Sequence, residues 1–112
     1  HGSHRVLVAK QEGLTGDALR ALAFQIRDRL GSGIGVLGST SGGKGALIAF
    51  VSEDLVVGGI SAGEIIGPAA RVLGGGGSRD ASLSQAGGPH GDRLDDALEV
   101  ALIAAREAVE RL

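Results

Sequence analysis

Apolar and polar positions follow two rhythms along this chain, one of strands and one of helices. Val6-Leu7-Val8-Ala9 is an unbroken apolar run, the pattern of a short buried strand. Leu19, Leu22, Ala23, Ile26 and Leu30 then recur at helical spacing and form one apolar stripe. Thr15 is placed to cap that helix, Asp17 to meet the positive end of its dipole, and Leu14 to pack against Leu19 across the first turn. Gly31 supplies the stop, because glycine enters the left-handed region without strain. Residues 34–37 and 46–51 are aliphatic runs bracketing Gly38-Ser39-Thr40-Ser41-Gly42-Gly43-Lys44-Gly45, which predicts a hairpin. The second run is almost continuously hydrophobic, so its strand is expected to be covered on both faces. Ser61-Ala62-Gly63-Glu64 reads as a capping box, with Ile60 and Ile65 as its staple, opening a helix that carries Ile65, Ile66, Ala69, Ala70 and Leu73. Pro68 lies inside it and predicts a kink or a late start. Leu94, Ala97, Leu98, Ala101, Leu102, Ala105, Val109 and Leu112 mark a long amphipathic terminal helix.

The order is therefore strand, helix, strand, strand, helix, glycine loop, helix. A crossover helix makes the first two strands parallel, and the hairpin adds an antiparallel one. The expected fold class is α/β: a mixed β-sheet of about four strands with three helices packed on it, in a single small domain. There is no internal repeat and no linker.

Composition narrows the chemistry. The 112 residues include 21 glycines, against an average usage of roughly 7%, yet only 2 prolines. Phe24 and Phe50 are the whole aromatic complement, which argues against recognition of single strands by stacking bases on rings. The absence of cysteine excludes disulfides, thiolate zinc sites and cysteine nucleophiles. His1-Gly2-Ser3-His4 reads as a tag remnant, leaving 5–112 as the domain and His90 as its histidine. With no leader pattern and no apolar run near 18 residues, a cytoplasmic location without membrane contact is expected. The formal charge of −2 means that any nucleic-acid binding is local and modest.

The most informative segment is Leu73-Gly74-Gly75-Gly76-Gly77-Ser78-Arg79, followed by Ser84-Gln85-Ala86-Gly87-Gly88. Ordering four successive glycines costs roughly 1–2 kcal/mol of backbone entropy each, and the bare N–H groups they leave admit a planar or polyanionic ligand closely. The stretch is read as a contact surface, with Arg71, Arg79 and Arg93 as flanking phosphate attractors. Two phosphate-loop matches do not survive their context. Gly38-Ser39-Thr40-Ser41-Gly42-Gly43-Lys44 has P-loop spacing, but Gly45 stands where a hydroxyl must reach magnesium, and a strand follows instead of a helix. Gly33-Ile34-Gly35-Val36-Leu37-Gly38 matches a dinucleotide fingerprint, but its glycines lie in or before a strand. Ser82 and Ser84 near His90 do not amount to a triad, and Asp92, Asp95 and Asp96 read as a helix start. No metal, cofactor or complete active site is expected.

The succession Leu7-Val8-Ala9-Lys10, Gly13-Leu14, Ala62-Gly63-Glu64-Ile65-Ile66, the glycine tract with Ser78-Arg79, and Gln85-Ala86-Gly87-Gly88 resembles the C-terminal globular domain of alanyl-tRNA synthetases, of the DHH-associated C-terminal family. The resemblance spans nearly the whole chain. It departs from the family's glycine-glycine-arginine-proline-aspartate-x-alanine-glutamine pattern where Ser78 interrupts the glycines, Asp80 replaces proline and 81–84 are lengthened. Ser78, where phosphoesterase relatives carry histidine, favours the synthetase branch. The resemblance implies a non-catalytic domain that grips tRNA, tRNA-Ala in particular, near its elbow and supports aminoacylation and editing by a parent ligase. By position in the motif, Gly74, Gly75, Gly76, Gly77, Arg79, Gln85, Gly87 and Gly88, joined by Arg71, would form the RNA contact. The other domains of the parent would be partners. The alternatives are a homodimerisation module built on the terminal helix, or the RNA-holding half of a phosphoesterase.

Overall fold

Thr15 takes an extended conformation and its hydroxyl accepts from the Ala18 N–H at 3.3 Å, so the helix begins where the sequence places its cap. This helix, α1 (Gly16–Leu30), connects β1 (Arg5–Lys10) to β2 (Gly33–Ser41), and the two strands pair in parallel from Arg5↔Gly33 to Lys10↔Gly38. The computed structural model describes residues 5–112, and the proposed tag remnant lies outside them. β2 turns back into β3 (Lys44–Val51) through Gly42 and Gly43, both at positive φ. That is the geometry of a tight two-residue hairpin turn. The P-loop-like run is thus two strand ends and their turn.

Helix α2 (Glu53–Val57) follows, then α3 (Ala62–Val72), β4 (Gly76–Gly77), β5 (Leu83–Gly88), a 3-10 turn (Gly91–Arg93) and α4 (Leu94–Glu110). The sheet is mixed, with strand order β1-β2-β3-β5-β4. Among the described residues the sheet has five strands against the expected four, and the domain has four α-helices against three. The difference lies in α2, too short to carry a periodic stripe, and in the glycine-rich segments, which pair as β5 and β4 instead of looping freely. α3 starts at Ala62 and runs through Pro68, so the expected late start does not occur.

Alternation along β3 divides the core. Ile48 and Phe50 join Leu19, Ala23 and Leu37 beneath α1, whereas Leu47, Ala49 and Val51 join the α3 and α4 residues on the opposite face. The double burial expected of this strand is therefore observed. Phe50 is fully buried over Gly35, where any side chain would occupy the space of its ring. The apolar stripe of α4, including Leu94, Ala97, Leu98, Ala101, Ala105 and Val109, is consumed by the domain's own core. Leu112, expected on that stripe, is exposed.

Candidate nucleic-acid interface

α3 delivers the chain into the glycine tract. Leu73 is buried at its end, and Gly74 turns at φ +79, the left-handed conformation that lets the chain leave the helix. Gly74 and Gly75 donate back to the Arg71 and Ala70 carbonyls at 3.0 and 3.1 Å. Beyond them β4 pairs with β5 in the register Gly76↔Gly87 and Gly77↔Ala86. Ser78 fastens the far end: its N–H donates to the Gln85 carbonyl at 2.9 Å, and its Oγ accepts from the Gln85 N–H at 3.1 Å.

This fit explains most of the glycines internally. A Cβ at Gly75 would strike the Gly87 carbonyl, one at Gly77 the Gln85 carbonyl, one at Gly88 the Leu73 carbonyl, and one at Gly74 the His90 ring. Close approach of the chain to itself thus accounts for glycine at these four positions, beyond the room for a ligand that the sequence suggested. Gly76 is different. A Cβ there meets nothing within 4 Å. The tract nonetheless ends at the surface: 74, 76, 77 and 87 are exposed, and 75 and 88 are half-buried.

Two arginines frame the exposed strand. Arg71, in the last turn of α3, and Arg79 are both exposed, and they line one groove with residues 75–77. Arg79 is placed by an unexpected capping arrangement. Ser61 makes no side-chain cap bond, so the capping box does not form; the Ala62 and Gly63 N–H groups donate instead to the Ala81 and Asp80 carbonyls at 2.8 and 3.0 Å. The segment thereby crosses the first turn of α3, where a Cβ on Gly63 would come within 2.7 Å of the Arg79 Cα. Among the described residues no carboxylate pairs with Arg71 or Arg79, whereas Lys10 and Arg93 pair with Asp95 and Asp96. The Asp95 carboxylate, accepting from Lys10 Nζ at 3.0 Å, raises the ammonium's pKa above its ordinary value.

Of the remaining predicted residues, Gly87 and Gly88 lie against Gly76 and Gly75, and the Gln85 side chain turns away. Gln85 faces α1, where its Oε1 accepts from Arg20 at 2.8 Å and its Nε2 donates to the Gly16 carbonyl at 3.2 Å. Gly87 and Gly88 also border a separate depression with Thr15, Gly16 and Lys44. The structure thus brings together Arg71, Gly75, Gly76, Gly77 and Arg79, sets Gly87 and Gly88 directly beside the glycine strand, and turns the Gln85 side chain away toward α1. Sequence reasoning missed Arg20, Phe24 and Arg27, in which the two guanidinium carbons stand 5.4 and 4.7 Å from the Phe24 ring centre. Their i, i+4, i+7 spacing on α1 was the available signal.

No alternative chemistry assembles. Ser84 is fully buried and donates to the Asp80 carbonyl at 2.8 Å, so it is no nucleophile. His90 is exposed, and Asp95 and Asp96 occupy the first turn of α4 as a helix start. Among the described residues no group of three or more metal-ligating side chains occurs, and no helix is long and apolar enough to cross a membrane.

Residues 3–107 match the family described as the DHHA1 domain. The chain is 42% identical over 98 residues to an alanine–tRNA ligase of Acetivibrio thermocellus, covering 88% of this chain and 11% of that protein. It is 43% identical over 106 residues to the alanine–tRNA ligase of Anaeromyxobacter dehalogenans, covering 94% and 12%. The chain therefore spans about one ninth of the length of these relatives. The crystal structure of the C-Ala domain from Aquifex aeolicus alanyl-tRNA synthetase superposes with a TM-score of 0.78 at 27% identity, covering 89% of each chain.

Proposed function

Because the chain belongs to the DHHA1 domain family, we propose that it is the tRNA-gripping C-terminal domain of an alanyl-tRNA synthetase, working as a non-catalytic appendage of the ligase. Its task is to hold tRNA, with tRNA-Ala as the cognate form, near the elbow while the acceptor end reaches the aminoacylation and editing sites of the parent.

One observation carries this reading. Gly76 is exposed on the edge of the sheet with no internal reason to lack a side chain, and unpaired Arg71 and Arg79 share its groove. Bare backbone lets a nucleic-acid surface approach closely, and guanidinium forks give phosphate contacts that position without reading sequence. Minor-groove and backbone contact of this kind suits structured RNA, which proteins recognise largely by shape.

The test is binding of tRNA-Ala at low and moderate salt. Gly76→Val and the pair Arg71→Ala with Arg79→Ala each weaken binding, the arginine pair by about tenfold or more because two phosphates are left without a cation. Binding by both variants equal to that of the wild type contradicts the proposed contact.

A further inference from the structure

We propose that the groove between α1 and the 78–85 segment is a second site for an RNA sugar-phosphate backbone, in which Phe24 holds Arg20 and Arg27 as a paired clamp. The premise is the RNA-binding reading above, which this inference deepens.

The geometry is specific. Both guanidiniums lie within 5.4 Å of one ring centre. Guanidinium stacked on an aromatic face is held in place while its N–H edge stays free to bond, so less rotamer entropy is lost when an anion arrives. Gln85 adds a fixed point by accepting from Arg20 Nη1, and is itself anchored to the Gly16 carbonyl. Arg27 is half-buried, yet among the described residues no carboxylate lies within 4 Å of it or of Arg20. Neither guanidinium is neutralised by a carboxylate, so a phosphate that reaches this groove meets two uncompensated positive charges on one ring. Asp80 is the carboxylate among the residues that line this groove, with Ser78 near it in the chain.

Continuity with the first site supports the same occupant. Ser78 lines both this groove and the one that holds Arg71 and Arg79. The two basic grooves thus meet at the end of β4 on opposite sides of the sheet edge. A backbone crossing the exposed glycines would reach Arg71 and Arg79 on one side and the Phe24 clamp on the other. The few aromatic residues are consistent with this role, since Phe24 serves the arginines and not a base.

The salt dependence of tRNA-Ala binding, measured on this chain, separates the possibilities. Replacing Arg20 and Arg27 by Ala is expected to lower affinity about tenfold and to reduce the slope of log K against log salt by about 0.7–0.9 for each phosphate no longer neutralised. Replacing both by Lys keeps the charge and removes the stacked fork, so affinity falls with the slope retained; Phe24→Leu behaves likewise, and thermal unfolding verifies that each variant is folded. If the folded alanine pair, or the lysine pair should the former not fold, binds with wild-type affinity and slope while Arg71→Ala with Arg79→Ala weakens binding, the second site is refuted and the proposed function stands. If the wild-type chain shows no salt-dependent binding at all, the proposed function itself falls.

Discussion

A single methyl group distinguishes the roles of neighbouring glycines. At Gly75 and Gly77 an added Cβ would meet the backbone of β5, which cannot move without breaking the β4–β5 pairing. Gly75→Ala and Gly77→Ala are expected to destabilise the domain by about 1–3 kcal/mol, as overpacking does, read as a drop in thermal midpoint. Gly76→Ala meets open space and leaves that midpoint nearly unchanged. A large midpoint loss at 76, or none at 75 and 77, contradicts this division. The run of glycines is legible as special and reads as room for a ligand; ligand approach and self-approach differ only in what stands opposite each Cα, which the residue order does not contain. In the structure four of these glycines stand against the chain's own atoms, whereas Gly76 faces open space.

At the scale of elements, strong periodicity was legible and weak periodicity was not. β1 and the β2–β3 hairpin announce themselves through unbroken aliphatic runs, α1 and α4 through side chains at period 3.6, and all lie where expected. β4 and β5 carry too few side chains for a period to appear, and their strand character comes from pairing with β3 and with each other. Gln85 faces away from the glycine strand for a related reason. Residues adjacent along β5 point to opposite faces: Gln85 meets α1, whereas Ala86 packs toward the α3 and α4 core. No spacing rule for a loop could reveal that separation. The two helix starts allow a direct comparison. Thr15→Ala removes a formed cap and should cost about 1 kcal/mol, whereas Ser61→Ala removes a hydroxyl that makes no cap bond and should cost only a few tenths. Denaturant titration reads both, and equal losses would show that Ser61 caps α3 after all.

For the whole molecule, a net charge of −2 hides an uneven distribution. Residues 92–112 contain Asp92, Asp95, Asp96, Glu99, Glu107 and Glu110 against Arg93, Arg106 and Arg111, a net −3, so the rest of the chain is net +1. The acidic excess sits on α4 and the turn before it, and the two unpaired arginine pairs flank the β4 edge. Such an arrangement orients a polyanion more than it attracts one from afar. The burial of the α4 stripe in the domain's own core removes the motive for pairing two copies through that helix, although Ile103 remains exposed on it. The most direct test is residue-resolved mapping of backbone amide resonances while tRNA-Ala is added to the chain. Shifts are expected to concentrate at Arg71, Gly75, Gly76, Gly77 and Arg79, with a second set at Arg20, Phe24 and Arg27, and the exposed face of α4 unchanged; shifts confined to α4, with the glycine strand silent, would contradict the RNA-gripping role.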